Sequence, residues 1–383
     1  MKKIIQKTAL RWRRSYLKRR YHGMISLKPK NKKIQGSVLI SYVVGDFLKN
    51  PQDIPCHHTN CWEMYQIAKT FLEKGYCVDA IGFKNTDFSP KKRYDIFICI
   101  GRNFERLIPL LNEDCVKILH ATGAHWIFQY HAEYNRIVAL HKRRGITLTP
   151  KRVAKLFCGH KHADYITMIG NDFTEGTYSF LGKEIYRLPV PAVFTRKWDD
   201  TKDYDRCRKN FIWLGSVGMV HKGLDLVLEA FIQMPHCTLT VCGTIEQDFA
   251  EAYHKELYQT HNIKTVGWVE MGSDTFFDIA SRSLGIVYPS CSEGMAGSVV
   301  NCMQAGLIPL ISYESGVDVG DFGLVFKTST VEDIKVGVET IAKLPSEELA
   351  QRSKKTVEYS QQHYSRKAFT RRYRDFVDMI IPT

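Results

Sequence analysis

The chain has 383 residues, 44% of them hydrophobic and 25% charged, with a formal net charge of +14. That length favours two domains over a single core, and the composition is that of an ordinary globular protein rather than a disordered or fibrous one. Of the 54 Lys and Arg, thirteen lie at or before Lys33, which leaves 41 against 40 Asp and Glu in the remainder. A near-neutral body argues against a nucleic-acid groove, so no nucleic acid is expected as a partner.

The eleven cysteines are scattered singly, which reads as reduced thiols of a cytoplasmic protein rather than a disulfide framework. No apolar run approaches the ~18 residues of a membrane span. No apolar stretch of the signal-peptide kind precedes Pro29, so a cleaved leader is not expected.

Residues 1–36 form a basic arm and linker. Over 1–22, at about 100° per residue, Ile5, Ala9, Trp12 and Tyr16 share one stripe, while Lys7, Arg11, Arg14 and Lys18 lie opposite. Such a helix suits the surface of an anionic membrane, on the inner face of which the protein would sit. A disordered basic tail is the alternative, since Arg13 and Arg20 interrupt the apolar side.

The next segments alternate. Strands are expected at 38–44, 77–83, 94–101, 116–121 and 165–169, with a helix over 59–74 stopped by Gly75. The pattern restarts after the charged stretch 196–209. Strands follow at 210–215, 237–242, 265–267, 285–288, 307–311 and 324–326, with helices at 223–233, 249–260 and 298–305. A last helix covers 365–381 and is expected to fold back on the first domain. This alternation gives an α/β protein of two Rossmann-like, doubly wound units, 37–205 and 206–364, with residues 365–383 as a terminal extension. Open parallel sheets bind ligands beyond the carboxyl ends of their strands, so the cleft between the units is the expected site.

Three segments of the second half carry chemistry. In the first, a strand ends at Gly215, a loop through Ser216 and Gly218 follows, and Lys222-Gly223 opens a helix. The glycines let backbone approach a ligand, and Lys222 brings positive charge to a diphosphate near a helix start. In the second, a strand stops at Pro289 and leads to Glu293-Gly294, after which Ala296, Gly297 and Ser298 begin a helix whose free amides can hold phosphate oxygens. Glu293 either meets ligand hydroxyls or merely caps that helix. In the third, Gly243-Thr244 and Gly267-Trp268 follow strands where a base or ribose can rest on backbone.

Together these segments resemble the family-four, group 1 glycosyltransferases of GT-B fold. Lys222 to Ala230 is similar to the family's diphosphate lysine and its helix. Tyr288 to Gly294 is similar to the start of its Glu-x7-Glu motif, and Ala305 to Ser312 to the strand that follows. His58 to Glu63 and Phe71 to Asp79 resemble its first helix and second strand more loosely. The resemblance implies a retaining, nucleotide-sugar-dependent hexosyltransferase needing no metal or other cofactor. A UDP- or GDP-linked donor is expected, and the basic arm, which would hold the protein at a membrane, points to a polysaccharide or lipid-linked glycan as acceptor. The resemblance implies that Lys222 neutralises the leaving diphosphate, that Glu293 contacts the transferred sugar, and that Ala296, Gly297 and Ser298 meet the phosphates. The motif's second Glu falls on Asn301, which would bind ribose without charge, and the family's Arg before the Lys is replaced by Ser216 and Val217. A GT-B protein that binds nucleotide-sugar or a partner enzyme without transferring is the alternative.

His125 follows a strand end in a loop where family members often carry a catalytic-pocket histidine; a structural histidine is the equal alternative. Asn60 and Glu63 are candidates for the acceptor side. Cys56-His57-His58 with Cys61, and Cys158 with His160 and His162, carry soft ligands without the paired spacing of a zinc site. Asp203-Tyr-Asp205 sits between domains, where a metal role is not expected. No Gly-x-Gly-x-x-Gly follows the first strand, which removes the main support for a nicotinamide enzyme.

Overall fold

A computed structural model describes residues 23–45, 47, 59–153 and 156–381. The proposed amphipathic helix at 1–22 lies outside the described residues, as does most of the Cys56 cluster.

The first unit is a seven-stranded sheet of β1 (Ile25–Leu27), β2 (Gly36–Tyr42), β3 (Tyr76–Gly82), β4 (Ile96–Cys99), β5 (Val116–Ala121), β6 (Tyr165–Ile169) and β7 (Ile185–Leu188). Its order is β1-β3-β2-β4-β5-β6-β7. All neighbours run parallel except β1, which pairs antiparallel with β3. Ile25–Leu27 therefore belongs to the sheet and not to the arm. Its alternation is only half-buried at an edge, which leaves a weak sequence signal. Ile96–Cys99 is buried at all four positions, as expected of a central parallel strand covered on both faces.

The second unit is a six-stranded parallel sheet of β8 (Asn210–Leu214), β9 (Thr238–Cys242), β10 (Ile263–Gly267), β11 (Gly285–Tyr288), β12 (Ile308–Ser312) and β13 (Leu324–Phe326). Its order is β10-β9-β8-β11-β12-β13, the doubly wound order whose direction of winding reverses between β8 and β11. The expected helix over 249–260 is instead two, Gln247–Ala252 and His254–Tyr258. The break falls at Tyr253, which is fully buried, stacks on Phe249 at 4.6 Å and donates its hydroxyl to Glu229 at 2.7 Å.

Two of the features that join the units are helices. The helix Trp126–Arg144 of the first unit reaches the second through charge. Arg143 meets Asp225 at 2.6 Å and Glu229 at 3.0 Å, Arg144 meets Glu256 at 2.8 Å, and Arg136 donates to the carbonyl of Pro289 at 2.7 Å. The helix Arg366–Ile380 lies against the helix Thr59–Glu73. Phe369 packs edge-on to Trp62, and Tyr373 edge-on to Phe71. No described helix is long and apolar enough to cross a membrane.

Candidate functional site

The reversal of winding in the second sheet leaves a crevice beyond the ends of β8 and β11. Both motifs start there: β8 runs out at Leu214 into Gly215, and β11 at Tyr288 into Pro289. The crevice opens into a cleft of about 1340 Å³, counted to open solvent, whose other wall is built by Thr59, Asn60, Glu63 and Thr122 of the first unit.

Lys222 sits on a turn closed by its own amide, which donates to the Gly218 carbonyl at 2.8 Å, and its carbonyl accepts from the Trp213 indole at 3.2 Å. The turn aims the side chain across the crevice. There the ammonium donates to Glu293 Oε1 at 2.5 Å and to the Tyr288 hydroxyl at 2.8 Å. The hydroxyls of Tyr288 and Ser290 donate to the same Glu293 oxygen at 3.0 and 3.2 Å. Burial alone would raise the Glu293 pKa. The charges of Lys222, Arg152 and His221 outweigh it and hold the carboxyl at about 2, so it is ionised at neutral pH. Burial pushes the Lys222 ammonium down from its ordinary value, with Glu293 opposing that push.

The Glu293 loop is clamped between the units. The Glu293 amide donates to the Glu314 carbonyl at 2.9 Å, and Thr174 of the first unit donates to the Gly294 carbonyl at 2.5 Å. A Cβ at Gly294 would lie 2.7 Å from the Ile169 carbonyl oxygen and 2.8 Å from that of Thr122, so only glycine lets the loop touch first-unit backbone.

The helix Gly297–Gln304 begins at the cleft with no side chain capping it. Gly297 and Ser298 line the wall as expected. Ala296 lines it too, but its amide is already donated to the Ser315 carbonyl at 3.0 Å, so the amides available to an anion belong to the residues after it. Asn301 also reaches the wall. Its amide oxygen accepts from Val193 at 2.9 Å and its NH2 donates to Gly297 at 2.8 Å, so its role is chiefly to hold the crossover between units. Gly215, Ser216, Gly243 and Trp268 line the cleft, with Trp268 54% exposed on its rim; Thr244 is exposed and outside the lining.

On the opposite wall Glu63 is buried and accepts from the Tyr42 hydroxyl at 2.7 Å, with His120 Nε2 3.8 Å away. His125 does not reach this cleft. It caps the helix Trp126–Arg144 through Nδ1, which accepts from the Ile127 amide at 3.3 Å, and its ring packs among Trp126, His160, Tyr178 and Phe180. Burial, with the His160 charge adding to it, lowers its pKa to about 4. It lines a separate, more apolar cavity of the first unit, about 1600 Å³ counted to open solvent. Among the described residues no group of three His, Cys, Asp and Glu side chains could hold a metal. The Asp203 carboxylate caps a short helix by accepting from the Arg206 amide at 3.0 Å, and Asp205 accepts from Ser346 at 2.5 Å.

Sequence reasoning gave no role to Tyr288, although it ends a fully buried strand beside the motif. It also passed over Arg152, whose guanidinium stands 3.9 Å from Glu293 Oε2.

Residues 208–343 match the family model described as glycosyl transferases group 1. Search of curated sequences returns no match. Among solved structures, the chain resembles TarM of S. aureus, solved with fondaparinux, alpha-GlcNAc-glycerol and UDP. The TM-score is 0.52 at 13% identity, over 74% of this chain and 55% of that one, so this chain spans little more than half of TarM's length. It also resembles Anabaena HepE in complex with UDP-glucose (TM-score 0.58, 12% identity, 90% of this chain and 99% of that chain). A third is a sucrose-phosphate synthase from Thermosynechococcus elongatus (0.65, 12%, again 90% and 99%). Such identities speak to the fold. The matched segment holds both Lys222 and Glu293, and the chain has a GT-B fold whose residues 208–343 are similar to the group 1 glycosyl transferases.

Proposed function

We propose that the protein is a retaining hexosyltransferase that moves a sugar from a UDP- or GDP-linked donor to a polysaccharide or lipid-linked glycan. One observation carries the reading: a buried Lys222–Glu293 pair, 2.5 Å apart, faces the same cleft as the uncapped start of the helix Gly297–Gln304. An ammonium and helix-start amides together suit a leaving diphosphate, whose charge grows as the sugar–oxygen bond breaks. Glu293 then offers its outer oxygen to sugar hydroxyls. Held ionised down to about pH 2, it is a poor proton acceptor at neutral pH. The departing phosphate oxygen is the better base, and it can take the acceptor's proton only if the acceptor enters on the face the diphosphate leaves. That is the stereochemistry of retention. Trp268 on the rim offers a flat surface to the base. No metal is required in this scheme.

The acceptor assignment rests on the basic residues before Lys33, which would hold the protein against anionic lipid. A panel of UDP- and GDP-sugars tested for stabilisation against heat identifies the donor, since a ligand that binds the folded state raises the melting temperature. The reading fails if no nucleotide-sugar stabilises the protein and none is hydrolysed or transferred.

A further inference from the structure

We propose that Arg152, contributed by the first unit, is a second cation for the donor diphosphate, and that Glu133 positions it. The proposal rests on the donor reading above.

Arg152 lines the donor cleft beside Gly215, Ser216, Lys222 and Glu293. Its side chain is 38% exposed, and its one ion-pair contact among the described residues, to Glu293, is long at 3.9 Å. Its Nε is buried and has no hydrogen-bond partner among the described residues. The neighbouring arginines of the first unit differ: Arg136, Arg143 and Arg144 each make a contact of 2.8 Å or less to the second unit. Arg152 thus keeps guanidinium donors that no described residue uses at close range, and a planar fork of donors matches a phosphate.

Charge balance points the same way. The acidic and basic side chains of the described lining are Glu63, Arg152, Lys222 and Glu293. Lys222 and Glu293 neutralise each other at 2.5 Å. At that corner Arg152 alone carries positive charge not already matched at contact distance, and a nucleotide-sugar brings two negative charges to it.

The position of Arg152 is built rather than incidental. The amides of Lys151 and Arg152 donate to the buried Glu133 carboxylate at 2.8 and 2.9 Å, and Gln129 donates to the Arg152 carbonyl. The stem of the side chain lies on Gly218, where a Cβ would come within 2.7 Å of Arg152 Cγ, and where φ is +98°. Glu133 also stands 3.7 Å from Nδ1 of His221, the residue before Lys222, and the other ring nitrogen of His221 meets the Ser292 carbonyl at 2.5 Å. One carboxylate therefore fixes the first-unit cation while touching the segment that carries the second-unit cation.

The test measures the affinity of wild type, Arg152→Ala, Arg152→Lys and Glu133→Gln for UDP, GDP and ADP, and for the matching nucleosides at millimolar concentration. Arg152→Ala is expected to weaken the preferred diphosphate by about 10- to 100-fold, the scale of a charge-assisted hydrogen bond, while its nucleoside changes less than about 2-fold. Arg152→Lys should recover part of the loss, and Glu133→Gln should lower diphosphate affinity without touching the nucleoside. An unchanged diphosphate affinity in Arg152→Ala, or an equal loss for diphosphate and nucleoside, overturns the proposal and leaves the donor reading standing. Wild type that binds none of the three diphosphates overturns both.

Discussion

The donor cleft's second-unit wall and the separate first-unit cavity are built on different physics. On the second unit, Lys222, Tyr288, Ser290 and Glu293 form a buried polar knot joined by hydrogen bonds of 2.5 to 3.2 Å. On the first unit, the cavity beside His125 is lined mainly by apolar and aromatic groups, among them Phe83, Ile100, Leu119, Trp126 and Phe157. The knot must hold fixed charges against a low-dielectric surround, so its residue types and spacings are constrained and recur as motifs. An apolar cavity needs only shape and can be lined in many ways. The donor side is therefore written locally in the chain, and the other side is assembled from distant segments.

The largest expected effect falls on the knot. Lys222→Ala and Glu293→Ala should each lower turnover at least ~100-fold, the scale of one lost electrostatic contact, in a donor-hydrolysis or transfer assay. Near-normal rates in both would erase the contrast between the knot and the cavity. Gly294→Ala comes next. Its methyl group would press on two carbonyl oxygens of the first unit, and unfolding by denaturant should show a loss of about 1–3 kcal/mol. Trp268→Ala should raise the donor KM about 10-fold with little change in kcat, because the ring stands on the rim away from the breaking bond.

The smallest effect belongs to the first-unit cavity. His125 stays neutral in the fold down to about pH 4, whereas an unfolded histidine takes its proton near 6.5. Between those values the unfolded chain binds more protons, so stability falls as pH falls from about 6.5 towards 4. His125→Asn keeps a capping acceptor and removes the titration, and it should flatten that slope while activity at neutral pH changes less than about 3-fold. A large loss of activity would return His125 to the catalytic residues.

The same division explains what the sequence disclosed. Gly285–Tyr288 and Val116–Ala121 are short apolar runs bounded by turns, and the expected spans match the observed ones. Lys222, Glu293, Gly297 and Ser298 were legible because each lies next to a strand end or a helix start of its own unit. The helix Trp126–Arg144 escaped notice because only Glu133, Ile137 and Leu140 are buried along its nineteen residues. It docks by ion pairs instead of an apolar stripe, so it lacks the periodic signal that betrays a helix. β7, four residues long and mostly half-buried, was lost for lack of length. Arg152 follows no strand end or helix start. Its place depends on Glu133, some twenty residues earlier, and on Gly218 of the other unit. Thr244 and Asn301 show the converse: adjacency to a motif put them in the reading, while exposure of one and backbone hydrogen bonds of the other give them different work.

The helix Arg366–Ile380 has a consequence for biogenesis. Phe369, Tyr373 and Phe376 are fully buried, and the first two cover Trp62 and Phe71, residues translated hundreds of codons earlier. During synthesis that greasy flank stays uncovered until the whole intervening unit has emerged from the ribosome. The nascent chain therefore passes through an interval of enforced stickiness, when chaperone capture and aggregation compete with completion of the earliest core.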